Sequence, residues 1–485
     1  MLPRIAIGWH ATCWLLTIRA PQYRPALASS DGEQMSFEYE PGSEPSPGTR
    51  DFDLQWSWRS IQHLPAGAAS RLTSVARPLA RWVKDGDWIN RDRIRFYSKL
   101  IVVLNAMVIA ACIAHGLDSN LASPLGGDFA KCAAASSLAF GGHPSDAYDD
   151  AKEWAAEKAV TNDPDIGFEN WDYPPTFLLI VLPFSFLHYD AALLMWSLLT
   201  LAAYLVVMCA IVNRSEVLWL AVAFPGAMVT MVAGQNGLLT MSLLGGGLLL
   251  LEAQPIMAGV MFGLLTYKPQ FGILIPIVLI ATRNWRPFLS ATITATTFAI
   301  LTVMLFGLSS WLAFFHQAPS VSYRLLVAGE VGFGKIQSVF GFARMWDASL
   351  TTSLGLQGIF SFAVAVVVVW IWLRPVSAAL KAAALVTATL MVTPYAESYD
   401  YVLLAAPIAW LGAEGLSNGF AGWEKSVLLL AWFFPLLRLV LPTMRLPLTP
   451  LVLTIVLLTI LRRAGGGGEL ARLEGFEPPT LRSVV

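Results

Sequence analysis

Residues 100–117 read LIVVLNAMVIAACIAHGL, and residues 126–149, a few positions on, read GGDFAKCAAASSLAFGGHPSDAYD. The first stretch holds no carboxylate, lysine or arginine over a length that crosses a hydrocarbon core as a helix. Arg91, Arg93, Arg95 and Lys99 stand just before it. The positive-inside rule therefore puts its start in the cytosol and its end outside. The second stretch then lies in an external loop, 118–172, and it carries Asp128, Lys131, His143, Asp146 and Asp149. Acids and bases at the mouth of a span point to a catalytic loop that faces away from the cytosol.

The rest of the chain agrees with a membrane setting. Of its 485 residues, 56% are hydrophobic and 13% charged, against about a quarter charged in ordinary soluble domains. Further apolar segments follow at about 174–188, 191–212, 216–233, 237–251, 256–282, 287–307, 350–373, 378–393, 400–416, 425–441 and 447–461. Arg462 and Arg463 close the last one, so both ends of this region sit in the cytosol and the number of spans is even. The expected fold is an all-α polytopic membrane protein of about 12 transmembrane helices. A barrel would show short alternating segments instead. Segments 174–188 and 378–393 are short for a span. Lys268-Pro269 interrupts 256–282, which makes it one broken helix or two half-helices and leaves the side faced by 233–237 open. A second external loop is expected at about 308–349, with His316, Arg324, Lys335 and Arg344.

Residues 1–95 are expected to form a partly disordered cytosolic extension: the first twenty are mildly apolar, and 21–95 are rich in Pro, Ser, Arg, Asp and Glu. Residues 96–463 form the membrane domain, and 464–485, which open on a glycine run, a flexible cytosolic tail. A net charge of −1 gives no reason to expect a nucleic-acid partner. Cys13, Cys112, Cys132 and Cys209 have neither disulfide-framework nor metal-ligand spacing.

Each candidate residue carries two readings. Asp128 is a helix N-cap or a carboxylate general base at the membrane surface. Asp172 and Tyr173 precede Pro174-Pro175, a plain helix start or the edge of a site shared with Asp128. Gln235 sits in a turn between apolar runs. Lys268, with Gln270 beside it, is flanked by apolar residues. Such an intramembrane charge faces a protein interior and serves function, or it snorkels to the interface. Glu397, Tyr399 and Asp400 stand at a helix start, where acids also suit the dipole.

A span, then GGDFAKCAAASSLAFGGHPSDAYD, WDYPPTFLLIVLPF (171–184), AGQNGLLT (233–240), MAGVMFGLLTYKPQFGILI (257–275) and TPYAESYDYVLLAAPIAWL (393–411) follow in that order. In order and spacing the chain resembles glycosyltransferase family 87, over roughly residues 97–440. The resemblance implies the GT-C architecture, with an acid in the first external loop. Its studied members resemble polyprenyl-phosphate-mannose-dependent mannosyltransferases. Asp128 matches the loop acid that acts as catalytic base, and Lys268 the family's Lys-Pro element. The 393–400 stretch matches a late motif that is richer in His in the mannosyltransferases; here it holds Tyr399 and Asp400.

The implied activity is transfer of a hexose from a polyprenyl-phosphate sugar to an envelope glycan or glycolipid, inverting and without a metal or other cofactor. Asp128 is the expected base. Lys131, His143, Asp172, Tyr173, Gln235, Lys268, Gln270, Arg324, Glu397, Tyr399 and Asp400 are the expected substrate contacts. The expected partners are donor lipid, acceptor and membrane lipids, and the expected location is the bacterial plasma membrane. Two rivals stand beside this reading. One is an O-antigen-type ligase or polymerase, suggested by His316 and Arg324. The other is a lipid or solute transporter, which leaves the acid-bearing first loop unexplained.

Overall fold

The computed structural model describes residues 77–118, 126–330, 332–440, 446 and 448–465. The expectations for 1–76 and 466–485 fall outside them. The described residues are helical, with no strand among them. A helix over 77–85 precedes α1 (Arg91–Asp118). The region after α1 holds α2 (Gly127–Phe140) and α3 (Asp150–Thr161). Then come α4 (Pro175–Val181), α5 (Tyr189–Ile211), α6 (Glu216–Ala223), α7 (Pro225–Ala233), α8 (Gly237–Leu250) and α9 (Pro255–Leu264). The later helices are α10 (Pro269–Gly272), α11 (Leu274–Ala281), α12 (Trp285–Ser322), α13 (Val339–Met345), α14 (Leu350–Leu373), α15 (Ala378–Val392), α16 (Ala405–Asn418), α17 (Glu424–Val440) and α18 (Leu448–Ala464).

Four of these are long and apolar enough to cross a membrane: α1, α5, α12 and α14. The pair α6–α7, bent by 52° at Phe224-Pro225, makes a fifth if it is one span. The bend follows from Pro225, which opens α7 and cannot continue the hydrogen-bond ladder of α6. Helices α8 and α15 have 14 and 15 residues and are buried along most of their length. Around them the outer helices turn large apolar side chains outward, among them Met107, Val206, Met304, Ile359 and Phe362. A buried centre with an apolar outer surface is stable in lipid and unstable in water. Helix contacts rely on small residues, as membrane bundles do. Gly259 and Gly263 of α9 lie so close to Pro287, Ala291 and Thr294 of α12 that a Cβ would clash at either place.

Polar contacts sort the helix ends into two groups. At one end Glu216 pairs with Arg91 and Arg95, both at 2.5 Å, and Arg463 pairs with Glu424. There Trp423 N donates to Lys84 O (2.7 Å) and Lys425 reaches Asp87 (3.2 Å). Residues 84–87 of the expected extension thus pack on the bundle. The opposite end holds Asp128, the 233–237 turn, Lys268, residues 150–173 and residues 393–400, joined by the bonds described below.

Three segment expectations change in detail. Segment 174–188 does not link the two ends: Tyr173 bonds to Gln235 (3.4 Å) and Tyr189 to Gly126 O (2.7 Å), so both its termini lie near Asp128. Its helical part, Pro175–Phe186, spans only 12 residues, and Pro183 interrupts it. Segment 256–282 breaks at Lys268 (φ −128°, ψ 70°), with Pro269 starting the next turn, so it forms two arms. The loop expected from 308 is helical to Ser322, because α12 only kinks at Gly307 (φ 76°) and resumes.

Candidate active site

The site begins where α2 begins. Gly126 takes a left-handed conformation (φ 74°), and its amide donates to Val232 O at 3.0 Å. A side chain there would meet Leu193 at about 2.5 Å. Gly234, also left-handed (φ 72°), ends α7 against the same residues: a Cβ on it would lie 2.8 Å from Phe129 Cβ and 3.1 Å from Gly126 Cα. Two facing glycines let the 234–236 turn sit on the start of α2. That contact brings Gln235, 107 residues away, to Asp128: Gln235 Nε2 donates to Asp128 Oδ2 at 2.8 Å.

Asp128 is not the N-cap. Gly126 occupies that position, and Asp128 lies inside the first turn with its side chain turned to Gln235. The carboxylate is half-buried and makes no second hydrogen bond among the described residues. One oxygen is positioned by Gln235, and the other is open to accept a proton.

Lys131 is one turn further along the same helix face, at i+3. It is 7% exposed, forms no ion pair among the described residues, and lies 5.9 Å from the Tyr173 ring centre. Burial alone would lower its pKa, but Tyr173, Glu169, Asp172 and Asp128 outweigh that and hold it well above the usual lysine value. The ammonium therefore stays charged.

The second half of the site lies around Lys268. Its Nζ is 2.8 Å from Asp400 Oδ1, and both side chains are almost fully buried, at 3% and 2% exposure. Asp400 Oδ2 accepts from Glu397 N at 3.1 Å, and Glu397 and Asp400 cap the first turn of 398–404 reciprocally. Lys268 also lies 4.7 Å from the Tyr399 ring centre. Lysine 268 is thus a paired interior charge, 132 residues from its acid. The halves meet through the backbone, since Thr230 Oγ1 donates to Tyr399 O (3.0 Å) and Gly237 leaves no room for a Cβ beside that oxygen. Burial, then the Asp400 charge, push the Glu397 carboxyl up to about 7, with Lys131 and Asp128 within electrostatic reach.

Between the halves stands an aromatic wall. Trp171 and Phe177 stack at 5.6 Å, and Phe177 and Tyr267 at 4.8 Å; Tyr173 leans on Phe177 at 4.5 Å. Helix α3 holds the 169–173 segment in place through two buried acids: Glu153 accepts from Trp171 N (2.9 Å) and Glu157 from Glu169 N (3.4 Å). Burial pushes Glu157 up to about 8 and Glu169 up to about 7. The Glu169 and Asp172 side chains are exposed beside the wall.

Asp172 and Tyr173 join Asp128, Lys131 and Gln235 in one cluster; Lys268, Glu397, Tyr399 and Asp400 form its adjoining half. Gln270 is half-buried two residues beyond Lys268. Arg324 sits at the rim, already paired with Asp150 (2.7 Å) and Asn170 (2.9 Å). His143 is exposed beyond the far end of the 14-residue α2, roughly 20 Å from Asp128 at 1.5 Å per residue. Sequence reasoning missed Asn236, Trp171, Phe177, Tyr267, Glu153, Glu157 and Glu169. Asn236 is 2% exposed, and neither of its amide atoms has a hydrogen-bond partner among the described residues. Its place next to Gln235 in AGQNG was the available signal.

The model of glycosyltransferase family 87 matches residues 171–394. The resemblance seen in the motif order is borne out over that range. Asp172, Tyr173, Gln235, Lys268, Gln270 and Arg324 fall inside the matched residues. Asp128 and Lys131 precede them, and Glu397–Asp400 follow. The Gln235–Asp128 and Lys268–Asp400 bonds tie these outer elements to the matched segment. No curated protein and no solved structure gives a significant match.

Proposed function

Starting from a membrane glycosyltransferase of family 87, we propose that the chain moves a hexose from a polyprenyl-phosphate hexose to a hydroxyl of an envelope glycan or glycolipid. Asp128 takes the proton of the acceptor hydroxyl. The freed oxygen attacks the anomeric carbon from the face opposite the phosphate, and the C–O bond to the lipid phosphate breaks with its electron pair leaving on the phosphate. One displacement inverts the anomeric centre. Mannose is one candidate sugar, and the late motif departs from the mannosyltransferases by holding Tyr399 and Asp400.

Charge on the leaving phosphate needs a cation held in place beforehand. Lys131 meets that need better than Lys268, because Lys131 is charged and unpaired whereas Lys268 already neutralises Asp400. A monophosphate leaving group with such a cation does not call for a metal. Asn236, buried beside Gln235, holds a donor and an acceptor that no described residue satisfies, for a sugar hydroxyl admitted there, and the buried Trp171–Phe177–Tyr267 stack backs Tyr173 from behind. The positive-inside rule puts this end on the external face of a bacterial plasma membrane. The observation that carries the reading is the half-buried Asp128 carboxylate, positioned by Gln235 and open on its other oxygen, one turn from Lys131.

The test is transfer by purified protein from a panel of polyprenyl-phosphate hexoses, read as donor consumption and as stereochemistry of the product. An inverted hexoside supports the proposal. A retained configuration, or consumption of nucleotide sugars alone, overturns it. Asn236→Ala should raise the donor KM about tenfold, the worth of one or two hydrogen bonds to a buried amide.

A further inference from the structure

The end of the bundle away from Asp128 holds a recess of ≈ 910 Å³, between the 251–255 turn, the 281–287 turn and the start of α15. The transfer reaction makes no use of it. Arg283, Arg286 and Lys381 line it, with a single acid, Glu252. None of the three cations has an ion-pair partner among the described residues. Trp372, buried in the wall, donates its indole N–H to Lys381 O at 2.9 Å and pins the start of α15 there. The rim is apolar and exposed: Trp285 and Leu373 line it and are each at least half open, and the exposed Ile256 and Leu289 follow nearby in the chain.

These cations stand where the local backbone does not favour them. Arg283 is left-handed (φ 57°), with its amide bonded to Ile280 O and the next amide to Leu279 O. That is a helix-terminating position which glycine fills without strain. Arg286 is the second residue of α12, and Lys381 the fourth of α15. The dipole at the start of a helix disfavours a cation. The positive-inside rule rewards a cation anywhere near a span's cytosolic end. It gives no reason for one at a strained residue and two in helix first turns, all facing one recess. Local rules broken together at one place mark a functional site.

We propose that this recess binds the phosphate of an anionic phospholipid from the leaflet at this end. Arg283, Arg286 and Lys381 hold the phosphate, and the acyl chains lie along the apolar rim. A phosphate without chains would use the cations and leave the rim uncovered, so lipid and free phosphate are separable.

The experiment is quantitative binding to full-length purified protein in neutral detergent, read by native mass spectrometry. The probes are dioleoylphosphatidylglycerol, dioleoylphosphatidylcholine and inorganic phosphate. The expected result is one phosphatidylglycerol held in preference to phosphatidylcholine and not displaced by millimolar phosphate. Arg283→Gly with Arg286→Gln should weaken it about 25-fold, at about fivefold per cation near a lipid surface. Arg283→Gly alone should weaken it about fivefold and cannot fail by misfolding, because glycine relaxes the left-handed residue. Arg214→Gln, which removes an exposed cation at the same end, should leave binding unchanged. Wild-type affinity in the double variant, an equal loss in Arg214→Gln, or displacement by inorganic phosphate would each overturn the proposal.

Discussion

Replacing Lys268 by Met tests whether this lysine is a structural charge or a free one. Methionine keeps the length and apolar stem and removes the ammonium. Asp400, 2% exposed, then keeps only the Glu397 amide at 3.1 Å. Breaking a buried pair from one side strands the other charge and costs about 3–5 kcal/mol. The lost contact with the Tyr399 ring adds about 0.5–2 kcal/mol, so a total of about 3.5–7 kcal/mol is expected. Removing both charges, as Lys268→Met with Asp400→Leu, should recover about 2–4 kcal/mol of that, because a buried pair and its apolar replacement are nearly balanced. The assay is reversible unfolding in mixed micelles for wild type, both single variants and the double, closing a double-mutant cycle. A single-variant loss below about 1 kcal/mol, or strict additivity in the double, would refute the structural pairing. Lys268 would then be a free cation available to substrate.

Three further outcomes follow from the same structure. Gly234→Ala should cost about 2–4 kcal/mol and lower transfer, since its Cβ meets Phe129 Cβ and the Gly126 backbone at 2.8–3.1 Å in a left-handed residue; unfolding and turnover measured on one preparation check this. Glu157, pushed up to about 8, favours the fold while protonated, so its contribution is intact below its unfolded pKa near about 4.3 and is lost as pH rises through about 8. The unfolding midpoint should therefore be lower at pH 8.5 than at pH 6, with the difference reduced in Glu157→Gln; an unchanged slope would contradict the assignment. Deleting residues 1–76 should leave transfer intact, whereas deleting through residue 90 should lower stability by about 1–2 kcal/mol, through loss of the bonds from Trp423 and Ser426 to the 83–84 backbone; thermal unfolding of the two truncations separates them.

Membrane class and the position of an acid just past the first span were legible because both are local signals. An uncharged run of eighteen residues has few alternatives, and Asp128 sits directly beyond it. The fate of Lys268 was not legible: its acid lies 132 residues on, and a buried pair and a phosphate ligand look alike in a linear chain. Hydropathy over 174–188 suggested a span, but Tyr173 and Tyr189 anchor both its ends to one side through partners that periodicity does not reveal. Glycine at 307 read as a helix end, although the helix resumes beyond it. Glu153 and Glu157 carried no signal in the sequence; their burial depends on backbone amides of residues 169 and 171 that only the folded loop supplies. Asp128 itself needed the structure, since a capping and a catalytic carboxylate differ only in where the side chain points.

The central claim is that Asp128 is the base. Asp128→Asn keeps the side chain's size, and its amide oxygen can still accept from Gln235, so the start of α2 and the 234–236 turn should be undisturbed. The substitution removes only the ability to take a proton. Measured with purified protein, polyprenyl-phosphate hexose and acceptor, kcat should fall by about 100-fold or more, with the unfolding midpoint unchanged. Turnover close to wild type in the Asn variant would contradict the account and move the search for the base to Asp172, Glu397 or Asp400.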